Sequence, residues 1–146
     1  MRRIFNAFLT LVTSMLFASC DPTYTTDFAI DNTTKYDLVV ISLDTNCSFY
    51  KNNPNGYPVS ANSKEILYLE GGLGTASMES AIECVKRNIY GDSVMFTFSN
   101  GLEKKYTSAD TLEGPYNFGS TDYSWYQISE NLGYYGCLTY KVKLEE

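Results

Sequence analysis

Short segments in which apolar and polar residues alternate are the feature that most constrains this chain. The alternation is clear over 94–98 and returns over 138–144. A period of two places every second side chain on one face of a strand, and an apolar face must be buried against another layer. Asn100-Gly101 follows the first segment and precedes a further one at 102–107, so we expect a hairpin with a type I′ turn.

Four further segments are expected to be strands, because they are short, rich in β-branched or aromatic residues and bounded by turn residues. They are 28–32, 37–43, 66–70 and 123–128. Gly71-Gly72-Leu73-Gly74 follows the third of them and is expected to break the chain there.

One stretch has a different period. Its apolar residues recur at i, i+4, i+7 and i+11, the spacing of a single helical face: Met78, Ile82, Val85 and Ile89. The sequence therefore predicts one short helix near 77–90. Thr75, Ser77 or Ser80 is its expected cap, and Gly91 is its expected end.

Seven strands and one helix predict an all-β fold, a two-layer antiparallel β-sandwich of the immunoglobulin-like type. An α+β fold, with the helix packed across one sheet, is the alternative. At 146 residues the chain has room for one such domain, and 44% hydrophobic residues are enough for one core.

The N-terminus has the organisation of a signal peptide. Arginines at positions 2 and 3 precede an apolar run over 4–17, which is shorter than the ~20 residues of a membrane-spanning helix. The run ends in Ala18-Ser19-Cys20, which resembles the lipobox read by lipoprotein signal peptidase. Phe17 departs from the leucine usual at that place.

This resemblance implies that residues 1–19 are removed and that Cys20 carries diacylglycerol and an N-acyl group, such as palmitate. The mature protein would then be held in the outer membrane, on its periplasmic face or at the cell surface. Residues 20–26 are expected to form a polar tether and residues 27–146 a single β-sandwich domain.

The mature chain also resembles small lipoproteins of Bacteroidetes in three segments, 28–32, 94–101 and 138–142. These segments are short β patterns without a catalytic motif. The resemblance thus implies an envelope location and leaves the activity open.

Charge and composition exclude several classes of function. The net charge is −6, and loss of the two leader arginines makes it more negative, which argues against nucleic acid as a partner. The chain contains no histidine, so catalysis by Ser-His or Cys-His pairs has no base. No metal or cofactor is expected, since the cysteines do not have zinc-finger spacing.

Three cysteines remain after Cys20 in an oxidising compartment, where one disulfide can form and one thiol is left over. They are Cys47, Cys84 and Cys137, and the sequence does not fix the pairing. A bond between Cys47 and Cys84 is slightly favoured, because Cys47 lies in a polar loop and Cys84 borders the apolar stripe of the helix.

Thirteen tyrosines make the last third of the chain rich in aromatic rings. Such rings stack on sugars or anchor a protein partner, and they are also good strand formers. Alternation should send Tyr123 and Trp125 to one face and Tyr126 to the other. The candidate contact residues are Tyr123, Trp125, Tyr126, Tyr134 and Tyr135.

One further candidate is a modification site. Asp110-Thr111-Leu112 resembles the O-glycosylation signal of Bacteroidetes, and Thr111 is expected in an accessible loop. Asp92-Ser93-Val94 has the same pattern, but Ser93 opens a predicted strand.

The leading hypothesis is an envelope lipoprotein whose domain is a non-catalytic interaction or accessory module. Its expected partners are the membrane, through the anchor, and an envelope protein or glycan. One alternative is a glycan-binding module that uses the aromatic cluster. The other is a carboxylate-dependent hydrolase, with Glu65 and Glu70, or Asp110 and Glu113, as its acid pair.

Overall fold

Two β-sheets packed face to face form the fold in the computed structural model, which describes residues 22–130 and 133–144. Eight strands lie in this part of the chain: β1 (Thr23–Asn32), β2 (Leu38–Ser42), β3 (Tyr57–Val59), β4 (Ser63–Leu73), β5 (Ser93–Phe98), β6 (Glu103–Thr107), β7 (Tyr123–Glu130) and β8 (Gly133–Val142). Sheet A has the order β4-β1-β8-β7, and sheet B has the order β3-β2-β5-β6. The expected β-sandwich is confirmed.

Strand β1 is central in sheet A, where it pairs antiparallel with β4 and parallel with β8. The expectation of a purely antiparallel sandwich is therefore wrong at this one pair. The strands β1 and β8 are far apart in sequence, so no tight hairpin imposes an antiparallel direction on them.

The strand β1 begins at Thr23, only three residues after Cys20. The polar stretch expected to be a tether up to residue 26 is instead hydrogen bonded on both sides, to β4 and β8. Threonine and tyrosine suit a pleated sheet, which explains how this polar segment forms a strand. The folded domain therefore starts earlier than expected.

The edge strand β4 continues through Gly71 and Gly72, where a break was expected. A β-bulge opposite Phe28 and Ala29 changes its register with β1. The ring of Tyr24 lies over Gly72, where a Cβ atom would meet it at 2.7 Å. The aromatic ring occupies the space that a side chain at Gly72 would fill, so the strand stays packed.

The hairpin at Asn100-Gly101 joins β5 and β6 as expected, but with a different turn. Gly101 has a φ of 85°, whereas Asn100 has no positive φ. Gly101 N donates to Phe98 O (2.9 Å), and Phe98 N donates to Leu102 O (2.8 Å). This is the pattern of a type I turn followed by a glycine bulge. The expected type I′ turn is wrong.

The predicted helix is present as α2 (Met78–Val85), which continues as a π-helical turn, Lys86–Tyr90. Ser77 caps it, since its hydroxyl accepts from Ser80 N at 3.1 Å. Gly91, with a φ of 57°, ends the helical segment. A short helix α1 (Ser48–Asn52) lies where only a loop was expected.

The core lies between the two sheets. Sheet A contributes Phe28, Ile30 and Leu138, and sheet B contributes Phe96 and Phe98, all of them buried. The strands of sheet A are up to 11 residues long, whereas the longest in sheet B has six. Sheet A therefore extends beyond sheet B, and α2 packs against β1 and β8.

Candidate functional site

The five aromatic residues singled out in the sequence do not form one platform. Tyr123 is only 7% exposed and lies in the core, where its hydroxyl donates to Pro115 O at 2.5 Å. Trp125 is on the same side of β7, and its ring lies over Gly136. Tyr126 points the other way and is 58% exposed. The predicted division of β7 is confirmed, so no single aromatic surface contains all five residues.

The side of sheet A that faces away from sheet B is called the outer face. Alternation along β1 places Asp27 and Ala29 there, because Phe28 and Ile30 enter the core. The strand register then aligns the outer residues in rows across the sheet. One row is Leu69, Asp27, Cys137 and Tyr126, and the next is Ile66, Ala29, Thr139 and Ser124.

On the outer face, small side chains occupy the two central strands and large side chains occupy the two edge strands. Ala29, Cys137 and Thr139 lie in the two central strands and are at most 7% exposed. The large exposed apolar side chains lie on the edge strands: Ile66, Leu69 and Leu73 on β4, and Tyr126 on β7. The centre of this face is buried, whereas its apolar edges are in contact with solvent.

Asp27 is a buried carboxylate on this face, 4% exposed. Its Oδ2 accepts a hydrogen bond from the hydroxyl of Tyr135 at 2.7 Å, while Oδ1 has no partner in the described part of the chain. The hydrogen bond to this carboxylate, together with burial, raises the pKa of Tyr135 above its usual value. The sequence pattern did not single out Asp27 as a contact residue.

A cleft of about 550 Å³ opens on the other side of the molecule, between the π-helical turn and the loop after β6. We call it the α2 cleft. Its lining carries charges of both signs, hydroxyl groups and aromatic rings: Asp44, Glu83, Lys86, Arg87, Asp92, Ser108, Thr111, Tyr116 and Phe118. This volume lies within the range of ~300–1,000 Å³ typical of small-molecule sites.

Hydrogen bonds hold the walls of the α2 cleft. Tyr116 donates to Gly91 O (3.1 Å), which fixes the loop to the π-helical turn. Burial raises the pKa of Tyr116, which favours the protonated hydroxyl that donates this hydrogen bond. Lys86 Nζ lies 2.9 Å from Glu83 Oε1 and 5.5 Å from the ring centre of Phe118. The rim of the cleft is therefore charged, and one wall is aromatic.

A smaller cavity of about 260 Å³ lies between α2 and sheet A. Glu70 Oε1 faces Arg87 Nη2 at 4.0 Å across it. Thr26 Oγ1 also borders this cavity and has no hydrogen-bond partner among residues 22–130 and 133–144. The cavity contains polar groups but is too small for more than a compact ligand.

The structure does not join Cys47 to Cys84, because both are free thiols, as is Cys137. Cys47 is buried at the start of α1, and its Sγ donates to Asn88 O at 2.6 Å. The side chain of Asn88 donates to Cys84 Sγ at 3.3 Å, so this residue contacts both sulfur atoms. Burial raises the pKa of Cys84 to about 12. The polar turn expected before Cys47 is present, but the side chain of Cys47 itself is buried in the core.

The acid pairs proposed for hydrolysis have other contacts. Asp110 Oδ2 accepts from Thr107 N (2.6 Å) and from Thr107 Oγ1 (3.0 Å), which closes the turn after β6. Glu70 faces Arg87, as described above. No group of three or more acids and cysteines that could hold a metal ion occurs in the described residues.

Thr111 is exposed in the loop after β6, whereas Ser93 is half-buried in β5. Both positions agree with the placement expected from the sequence. The predicted leader and Cys20 lie outside the described residues. In the described part of the chain, no helix is both long and apolar enough to cross a membrane.

Comparison with known protein families and with curated proteins found no match for this chain. The function is therefore argued from its own residues.

Proposed function

We propose that the chain is a lipoprotein of the bacterial outer membrane, anchored through Cys20, whose β-sandwich is a non-catalytic binding module. The observation that carries this proposal is the sequence Ala18-Ser19-Cys20 at the end of an apolar leader. The strand β1 begins at Thr23, and only two residues separate it from Cys20. This arrangement fits a folded domain joined directly to a lipid anchor.

Fractionation of cells that express the full chain tests the anchor. We expect the wild-type protein in the membrane fraction and Cys20→Ala in the soluble fraction, because the acyl chains supply the membrane affinity. Cys137→Ala is the matched control and should stay with the membrane. If Cys20→Ala also stays with the membrane, the anchor is refuted. Protease treatment of intact cells then distinguishes the cell surface from the periplasmic face.

The α2 cleft is the proposed ligand site of the module. A saccharide is the favoured ligand class, since the half-buried ring of Phe118 lines the same cleft as the hydroxyl groups of Ser108 and Thr111 and the carboxylate of Asp92. Aromatic rings bind the apolar faces of sugars, while carboxylates accept hydrogen bonds from their hydroxyl groups.

Calorimetric titration of the Cys20→Ala protein with envelope and host oligosaccharides tests this site. We expect binding to one class of oligosaccharide, weakened in Asp92→Asn and unchanged in Asp31→Asn, a carboxylate on the outer face of sheet A. Equal affinity in the two variants would place the ligand elsewhere. Cleavage of an oligosaccharide that is lost in Asp92→Asn would contradict a non-catalytic module.

A further inference from the structure

We infer that the outer face of sheet A lies flat on the lipid bilayer that holds the anchor. This inference rests on the proposed lipidation of Cys20 and adds an orientation to it. The argument has three independent parts: the position of the exposed apolar side chains, the length of chain between the anchor and the sheet, and the position of the charges.

The exposed apolar side chains are concentrated on this face. Of the six large hydrophobic residues exposed in the described chain, four lie on the outer face of sheet A. Three of them, Ile66, Leu69 and Leu73, form a stripe along the edge strand β4 and are 49%, 63% and 71% exposed. Tyr126 lies on the opposite edge. Contiguous apolar surface of this kind marks a site of interaction with a partner or a membrane.

The anchor is too close for this face to lie far from the membrane. Only Asp21 and Pro22 separate Cys20 from the first residue of β1, and three residue steps span about 10 Å at most. Strand β1 is central in sheet A, and Gly74 N donates to Pro22 O at 2.7 Å, which holds the start of the sheet. The lipid therefore emerges from the end of the same sheet that carries the apolar stripe.

Charged side chains lie at the far end of the outer face. Lys64, Asp31 and Lys141 form a row there, opposite one another on β4, β1 and β8. The rows nearer the anchor contain Leu69, Ile66, Tyr126 and Tyr135. Tyrosine is enriched where proteins meet the membrane interface. Asp27 lies in these rows, but it is covered and does not present its charge to the surface. Among the side chains that the structure describes on this face, those near the start of β1 are thus uncharged or covered, and those at the far end are charged.

Tryptophan reporters in the full, lipidated chain test this orientation. Leu73→Trp, Ile66→Trp and Leu102→Trp are reconstituted into phosphatidylcholine vesicles whose acyl chains are brominated near the headgroup. Emission from Trp125, the single native tryptophan, is subtracted by measuring the wild type in parallel. Leu102 is the control, because it is 40% exposed and lines a cavity together with Lys143, which follows the end of β8.

If the face lies on the bilayer, tryptophan at 73 and at 66 loses most of its emission in brominated vesicles, and tryptophan at 102 does not. Quenching at 73 alone would mean that the domain stands on its end, and would overturn the inference. An equal loss of emission at all three positions, or no loss at any of them, would also overturn it. So would the finding that the Cys20→Ala protein forms a dimer through this face.

Flotation of the vesicles separates this inference from the anchor itself. A protein that floats with the vesicles but shows no quenching at position 66 retains its anchor and has a different orientation. A protein that does not float has no lipid anchor, and then both proposals fail.

Discussion

The two faces of sheet A are built from the same four strands but have opposite environments. The inner face carries Phe28, Ile30 and Leu138 and is covered by sheet B and α2. The outer face carries Asp27, Ala29 and Thr139 in its centre and exposed leucines on its edge. These central residues of the outer face are buried, yet they do not belong to the core cluster between the two sheets. Burial of a residue in this sheet is therefore no proof that it stabilises the core.

Truncation of matched isoleucines should show the largest difference between the faces. Ile30→Ala removes a fully buried side chain between the sheets, and we expect a loss of about 2–5 kcal/mol in the free energy of unfolding. Ile66→Ala, on the half-exposed edge of the outer face, should cost under about 1 kcal/mol. Urea unfolding of both variants measures the difference. Equal losses would mean that the outer face is also packed.

Substitution of Asn32, at the far end of the inner face, should give the next largest loss in the free energy of unfolding. This residue is fully buried, and its amide donates to Tyr36 O (2.8 Å) and Ser60 O (3.1 Å), which connects sheet A to the loops of sheet B. Asn32→Ala leaves these carbonyls without a donor, and we expect a loss of about 2–3 kcal/mol. Asp31→Ala, its neighbour on the outer face, is the control and should cost much less. A small loss in Asn32→Ala would show that water replaces the amide.

Adding a methyl group tests the packing of the two faces directly. A Cβ at Gly136 would lie 2.2 Å from the Trp125 ring, so Gly136→Ala must displace the indole and should cost about 1–3 kcal/mol. At Gly71, on the outer face, a Cβ would meet only Tyr24 O at 3.2 Å, and the cost should be smaller. Thermal unfolding, with Trp125 fluorescence as a second readout, measures both. An unchanged emission spectrum in Gly136→Ala would contradict the contact.

The smallest expected difference between the two faces is in how the free energy of unfolding changes at alkaline pH. Burial raises the pKa of Tyr90 and Tyr140 on the inner side, whereas the hydrogen bond to Asp27 is the main cause of the raised pKa of Tyr135 on the outer face. The usual tyrosine pKa is about 10. These groups therefore stabilise the fold fully below pH 10, and stability falls as the pH rises above 10 toward the raised values.

Each such tyrosine contributes a slope of at most about 1.4 kcal/mol per pH unit. Asp27→Asn should lower the pKa of Tyr135 toward its usual value and leave Tyr140 unchanged, while Tyr140→Phe should reduce the alkaline slope. Urea unfolding at several pH values, with tyrosinate absorbance, measures both effects. A flat stability profile above pH 10 would contradict the burial of the inner tyrosines.

Alternation in the sequence predicted these faces well where strands carry large apolar residues. It placed Tyr123 and Trp125 opposite Tyr126, and it identified the helix near 77–90 with its cap among three candidates. These features depend on local spacing, so a local pattern is enough to find them.

The pattern failed where long-range pairing decides the structure. Thr23–Thr26 forms a strand because β4 and β8 hydrogen bond to it from both sides, which no local signal shows. The edge strand Tyr57–Val59 contains a proline and has no apolar run. The exposed stripe on β4 also escaped prediction, because the bulge near Ile66 breaks the period of two along that strand.

The parallel pairing of β1 with β8 has a mechanical consequence. The start of β1 lies at the end of the sheet nearest Cys20, where we propose the lipid anchor, and the end of β8 lies at the opposite end. A pull between the lipid and the end of β8 would slide the two strands along each other, and all hydrogen bonds of the ladder would share the load at once. If the proposed anchor holds the start of β1, a pull on the far end of the domain would thus load the β1–β8 hydrogen bonds in shear, the geometry in which they resist force together.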